Sequence, residues 1–240
     1  MDFLRIVSPV YGENCYVIIT DSQALVVDPG AKTASRIAEV LEALDAKLGA
    51  ILITHGHADH LWNTASVSRM APHAPVYLAQ PDHFWISDPG PHVQLGAAAD
   101  FDACGEAWEF FTPQAPPPEM LQDGGTEILP GLTLRALPAP GHSPGATLYF
   151  GTATKANDYG QGLGFDGREN QMFCLSGDVI FRGTVGRSDL PHSDPQLMEE
   201  TLRTLCLSID PDTLILPGHG GFTTWKQELS ANPFLPRVRK

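Results

Sequence analysis

The sequence predicts an α/β (α+β) chain in which two mixed β/α halves turn their sheets toward each other, and two observations carry that prediction. Short apolar stretches of four to seven residues, rich in β-branched side chains, end repeatedly in small or turn-forming residues: "NCYVIITD", "ALVVDPG", "GAILITHGH", "PVYLAQ", "TLRALPAPGH", "ATLYFG", "QMFCLSGD" and "DTLILPGHG". Their length and content suit strands rather than helices. Their order also repeats. In the first half, strands, a helix and then "AILIT" lead into a histidine motif; in the second, "CLSGD", a helix and "TLILP" lead into "GHG". Duplicated halves of this kind bury their sheets against one another.

Between the strands, helical spacing falls at Ile37, Val40, Leu41 and Leu44, and again at Leu197, Met198, Thr201, Leu202 and Leu205. The second of these follows "SDPQ", where Asp194 can cap and Pro195 can occupy the first turn. A third helix is expected from near Asp59 to about Met70. Two segments break the pattern. Residues 80–126 are rich in Pro, Gly and aromatics, and residues 154–171 form a polar, Gly-rich excursion between two strands. Loops of that length are commonly functional or mobile. The expectation is one domain over residues 1–240 with these two insertions. Phe84, Trp85, Trp108, Phe110 and Phe111, in the first insertion, suit either a lid over a pocket or the packing of the insertion itself.

With 42% hydrophobic residues in 240, the chain can bury a sizeable core. No stretch approaches the roughly 20 uninterrupted apolar residues that cross a bilayer, and Met1 to Thr20 lacks the basic start and long apolar run of a secretory signal, so a cytoplasmic protein is expected. Cys15, Cys104, Cys174 and Cys206 lie far apart with no C-x-x-C pair, which suits free thiols in a reducing compartment. A net charge of −13 and no run of lysines or arginines argue against nucleic acid or an anionic membrane as partner.

The chemistry concentrates in "THGHADH", residues 54–60, where three of nine histidines stand beside an aspartate. His55, His57, Asp59 and His60 follow the strand "AILIT", His142 follows "LRALPAPG", Asp178 follows "MFCLSG" and His219 follows "TLILPG". Each stands beyond the C-terminal end of an expected strand, so neighbouring strands would bring these loops to one edge. Imidazole nitrogens and carboxylate oxygens are ordinary zinc ligands, and seven of them suffice for two ions about 3.5–4 Å apart that share a carboxylate. Small residues at Gly56 and Ala58 let the turn tighten. Singly, Asp59 reads equally as an acid at a helix N-terminus, Asp178 as a turn residue, and His142 or His219 as polar loop residues. As a set of seven they point to metal.

"THGHADH", "PGHSPG", "LSGD" and "LPGHG" resemble the motifs of the metallo-β-lactamase fold superfamily, and "VVDPG" at residues 26–30 is similar to a further one. The resemblance implies an αββα sandwich, two facing mixed sheets flanked by helices. It implies that His55, His57 and His142 bind one metal, that Asp59, His60 and His219 bind the other, that Asp178 bridges them and that Asp28 orients a ligand histidine. His60 resembles the glyoxalase II and lactonase branches rather than the true β-lactamases. "SGDVIFRGTVGRSDLP" and "NPFL" resemble the short-form hydroxyacylglutathione hydrolases, whose longer relatives carry a helical domain that grips glutathione; the chain ends at Lys240, soon after His219.

That likeness implies hydrolysis of a small thioester, S-lactoylglutathione to lactate and glutathione, by attack of a metal-bridging hydroxide. Two divalent ions are expected, zinc ahead of iron or manganese, since the same ligands accept all three. Their +4, offset by Asp59, Asp178 and a hydroxide to about +1, would give an acidic protein a positive pocket. Arg182 and Arg187 follow the bridging aspartate and can reach a substrate carboxylate, the alternative for Arg187 being a brace with Asp189. His73, His83, His92 and His192 fall outside every motif and read as surface or structural. Three alternatives stand beside thioester hydrolysis: a mononuclear iron persulfide dioxygenase using His55, His142 and Asp178, a lactone hydrolase that differs only in pocket shape, and a metal-stabilised binding protein without turnover.

Overall fold

The structure is a computed structural model that describes residues 1–87 and 105–236. Cys104, His92 and the middle of the first insertion lie outside the described residues. The first half comprises β1 (Asp2–Val7), β2 (Asn14–Thr20), β3 (Gln23–Val27), α1 (Ala34–Ala43), β4 (Lys47–Leu52), α2 (Ala58–Leu61), α3 (Thr64–Ser68), β5 (Val76–Tyr77), a 3₁₀ turn at Gln80–Asp82 and α4 (Phe84–Ser87). The second comprises a 3₁₀ turn at Pro118–Leu121, β6 (Thr126–Leu129), β7 (Leu132–Pro138), β8 (Thr147–Ala153), β9 (Gln171–Gly177), β10 (Ile180–Phe181), β11 (Thr184–Val185), α5 (Pro195–Ser208), β12 (Leu214–Pro217), β13 (Thr223–Thr224) and α6 (Trp225–Ala231).

One sheet runs β1-β2-β3-β4-β5, the other β13-β12-β9-β8-β7-β6, and β10 pairs with β11 as a separate hairpin. Both sheets are mixed, because β3–α1–β4 and β9–α5–β12 are parallel crossovers while most other pairs are antiparallel. The repeated strand order therefore corresponds to two real βαβ units.

Period-two alternation divides each strand between two cores. In β2, Tyr16 and Ile18 face the other sheet and meet Leu134, Tyr149, Phe173 and Leu216, whereas Cys15, Val17 and Ile19 face Ile37, Val40 and Leu41 of α1. Leu148, Cys174 and Ile215 likewise pack on Met198, Leu202 and Leu205 of α5. The result is a four-layer sandwich, helices outside and sheets inside. A strand buried on both faces reads as a continuous apolar run, which is why β2, β3 and β12 were legible. β1 is the edge of its sheet and carries Asp2 and Arg5, so its apolar signal is diluted.

The two long helices form where their spacing places them, and Asp194 accepts from Gln196 N and Leu197 N at 2.9 and 3.0 Å. The third expected helix is instead two short ones, α2 and α3, broken at Trp62 and Asn63. Asn63 causes the break: its N–H donates to Pro29 O rather than up its own helix, and its side-chain oxygen takes the N–H groups of Thr33 and Ala34, each at 3.1 Å. It thus caps α1, whose own Thr33 makes no side-chain cap. Within residues 154–171, Asn157 meets the start of β1, where Phe3 N donates to Asn157 O and Asn157 N to Met1 O. Among the described residues no helix is long and apolar enough to cross a membrane.

Candidate metal centre

All seven residues expected as ligands meet at the ends of β4, β7, β9 and β12. Three groupings bring ligand atoms within 4.8 Å of one another: His55, His57 and His142; Asp59, His60 and His219; and, between them, His55, His60 and Asp178. Asp178 Oδ1 lies 3.2 Å from His60 Nε2, and its Oδ2 lies 3.5 Å from His219 Nε2 and 3.7 Å from His142 Nε2. Asp59 Oδ2 is 3.2 Å from His219 Nε2.

Four of the five rings are aimed by what holds the outer nitrogen. His60 Nδ1 is 3.0 Å from Asp28 Oδ2, and His142 Nδ1 is 2.7 Å from the carbonyl of Arg187. His219 Nδ1 is 3.2 Å from the carbonyl of Tyr11. His55 Nδ1 is 3.1 Å from Thr54 Oγ1, whose own proton goes to Asp28 Oδ2 at 2.7 Å. Carboxylate and carbonyl oxygens only accept, and the committed Thr54 hydroxyl accepts too, so these four rings carry a proton on Nδ1 and turn Nε2 inward. His55 Nε2 and His142 Nε2 then face each other at 3.2 Å. His57 Nε2, His60 Nε2 and Asp178 Oδ1 are buried with no hydrogen-bond partner. Imidazole nitrogens and carboxylate oxygens converging in a buried cluster are a cation's complement, so this ligand set fits divalent metal.

Electrostatics split the cluster. Burial, reinforced by the neighbouring imidazoles, holds His55 well below the usual histidine range and His57 down to about 3. Burial also opposes charge on His60 and His219, but Asp178 and Asp59 outweigh it, pushing His60 well up and His219 to about 9. Asp178 is correspondingly held well below the carboxylate range by His60 and His219, against its own burial.

The loops are fixed across the two halves. Asn14 N donates to Gly218 O at 2.7 Å, Asn14 Nδ2 to the carbonyls of Pro217 and Gly220 at 2.9 Å each, and Tyr16 Oη to Pro217 O at 2.9 Å. Strand β2 thereby holds the His219 loop of the opposite sheet. Gly218 passes so close that a Cβ there would stand 2.3 Å from Asp178 Oδ1 and 2.5 Å from His60 Cε1.

Comparison with known proteins agrees with this geometry. The sequence model of the family described as "Metallo-beta-lactamase superfamily" matches residues 8–155. The chain belongs to the metallo-β-lactamase superfamily. It is similar to a hydroxyacylglutathione hydrolase, GloC, of Haemophilus influenzae, with 30% identity covering 94% of this chain and 93% of that one. A probable metallo-hydrolase of Streptococcus pyogenes is 29% identical over 98% of this chain and 90% of its own. Among solved structures, the B3 metallo-β-lactamase BLEG-1 aligns with a TM-score of 0.71 and 26% identity over 97% and 99% of the two chains. TTHA1623, solved in a di-iron-bound form, aligns with a TM-score of 0.66 and 32% identity over 96% and 99%. The fold is accordingly the metallo-β-lactamase αββα sandwich, and metallo-β-lactamase superfamily proteins bind divalent metals, usually two.

Above the centre, this superfamily member has a cavity of about 460 Å³ walled by Tyr11, Phe181, Thr184, Val185, Arg187 and Leu190 over His57, Asp59, His142, Asp178 and His219. Arg187 reaches its rim but is exposed and forms a two-pronged pair with Asp189 at 2.9 and 3.0 Å, so the brace expected as its alternative is present. Arg182 is exposed beside Gly221 and is not among the cavity's walls. None of the five aromatics of the first insertion lines the cavity either. Trp85 is fully buried behind His57, Trp108 packs on Trp62, Phe111 joins the helix-side core and Phe110 is exposed. Trp85, Trp108 and Phe111 therefore follow the packing reading rather than the lid reading. Of the groups that aim the rings, Thr54 and Tyr11 were not singled out by the sequence: a threonine opening a histidine motif carries a faint signal, and a residue acting through its carbonyl carries none.

Proposed function

We propose that this protein is a dinuclear metal-dependent hydrolase of glutathione-type thioesters, converting S-lactoylglutathione and water to lactate and glutathione. The observation that carries the proposal is the convergence of five imidazoles and two carboxylates within ligand distance, four of the rings already aimed by a bond to Nδ1. His55, His57 and His142 would hold one ion, Asp59, His60 and His219 the other, with Asp178 between them. Ions bound there supply Lewis acidity toward a carbonyl and water acidified to near neutral pH.

The rest falls to the chain. Asp28 and Thr54 keep His60 and His55 in the tautomer that leaves Nε2 free. Tyr11, Phe181, Val185 and Leu190 offer apolar walls to the acyl and thiol stems, and the Arg187 guanidinium stands at the rim for a terminal carboxylate. When the C–S bond breaks, the electron pair leaves on sulfur. A thiol of pKa about 8.5 gives a thiolate stable enough to depart without a general acid. The substrate reading is supported by the GloC relative, and iron as an alternative to zinc by the di-iron-bound neighbour.

The test is release of free thiol from S-lactoylglutathione by metal-loaded protein, beside elemental analysis. Two metals per chain and turnover abolished by a chelator are expected. One iron per chain with oxygen consumption on a persulfide would replace this reading with the dioxygenase one.

A further inference from the structure

Four of the five histidines at the centre are aimed by a hydrogen bond to the outer ring nitrogen. His57 is the exception: among the described residues its ring has no such partner. It is held in two other ways, both from the segment that opens the first insertion. Trp85 stands edge-on to its ring with centroids 4.9 Å apart. Asp82, fully buried, accepts the N–H of Gly56, the residue between His55 and His57, at 2.7 Å.

The same carboxylate reaches the third histidine's loop. Asp82 Oδ2 also accepts from Ser143 Oγ, and Oδ1 accepts from Gly145 N, each at 2.6 Å. Ser143 follows His142 directly. One side chain therefore ties together the two loops that carry His55, His57 and His142, which come from opposite halves of the fold. Its three bonds are charge-assisted and short, the class that fixes geometry most firmly. It makes none to the loops of His219 or Asp178. Nothing marks Asp82 in the sequence, since an acid between a proline and a histidine in a long loop reads as solvated.

We infer that Asp82 is a positioning residue for the three-histidine half of the centre alone, setting the affinity of that metal position independently of the other. The inference rests on the metal reading above and adds to it that the two positions have separate scaffolds. Removing a partner that orients metal ligands costs about 10- to 100-fold in affinity.

The test is competition with a chromophoric chelator for zinc in two single-position backgrounds, His219→Ala, which leaves the three-histidine group, and His57→Ala, which leaves the other. Asp82→Asn is expected to weaken zinc about 10- to 100-fold in the first background and less than about twofold in the second. Ser143→Ala, which removes one bond and leaves no buried charge unpaired, is expected to weaken the first several-fold, and it carries the test if Asp82→Asn does not fold by circular dichroism. Equal losses in both backgrounds, or none in either, would overturn the inference while leaving the metal reading standing. Wild-type protein that takes up no zinc would remove both.

Discussion

The two βαβ units that carry the centre begin alike and end differently. In β3–α1–β4 the acid after the first strand, Asp28, itself adopts the left-handed conformation, with φ of 49°. Its oxygens go to Thr54 N, Thr54 Oγ1 and His60 Nδ1. In β9–α5–β12 the left-handed bend falls on Gly177, with φ of 47°, one residue before the acid. Asp178 then leaves Oδ1 without a protein donor and 3.2 Å from His60 Nε2. The position of the left-handed residue thus separates an acid that braces His60 and Thr54 from one that lies between His60, His142 and His219. The units meet on Thr54: a Cβ at Gly177 would stand 2.4 Å from its Oγ1.

That difference predicts unequal mutants. Asp178→Ala, removing the acid between both groupings, is expected to lower thioester turnover by about 10³-fold or more, equivalent to about 4 kcal/mol, and to drop metal content below two per chain. Asp28→Asn, which disturbs aim and not ligation, is expected to weaken metal about 10- to 100-fold while a metal-saturated sample keeps most of its turnover. Equal losses from the two variants, measured at saturating metal, would erase the distinction. Gly177→Ala is expected to cost about 1–3 kcal/mol of stability in denaturant unfolding, from left-handed backbone alone before the clash is counted.

The two metal groupings also differ in protonation, which gives a pH test. His219 is raised to about 9 by Asp178 and Asp59 against its burial. Its folded pKa exceeds its unfolded one, so in metal-free protein this stabilisation is complete below about 6.5 and is lost as pH rises through about 9. Metal must displace that proton. Uptake at the group holding His219 should therefore release a proton at neutral pH and tighten by up to about tenfold per pH unit toward 9. His57, lowered to about 3, is already neutral, and its stabilisation is present above about 6.5 and lost on acidification toward 3. Calorimetric titration of the two single-position variants in buffers of different protonation enthalpy reads this directly, and proton release that is the same from both would contradict it.

How much of this was readable beforehand follows the physics of each element. Strands buried on both faces announce themselves as apolar runs, and ligands gathered as "THGHADH" stand out by composition. Asn63 reads as mid-helix because only its distant partners, Thr33 and Ala34, show that it caps another helix. Asp82 is invisible for the same reason, its three donors lying 26 to 63 residues away. The offset between Asp28 and Asp178 was written in the sequence as "VVDPG" against "LSGD", a glycine before one acid and none before the other. Its meaning needed the backbone angles.

The smallest expected effect concerns the rim, where the two halves contribute unequally to the cavity. Tyr11 comes from the first half, whereas Phe181, Val185, Arg187 and Leu190 all come from the segment after Asp178. The Arg187 backbone carbonyl orients His142, but its guanidinium is exposed and already engaged by Asp189. Arg187→Ala leaves that carbonyl in place, so metal content and kcat should hold. KM for a substrate with a terminal carboxylate should rise a few-fold, and KM for an uncharged thioester should not move. A fall in kcat or in metal content would mean that the side chain fixes the loop behind His142, placing Arg187 with Asp28 among the braces and leaving the rim without a substrate contact from this residue.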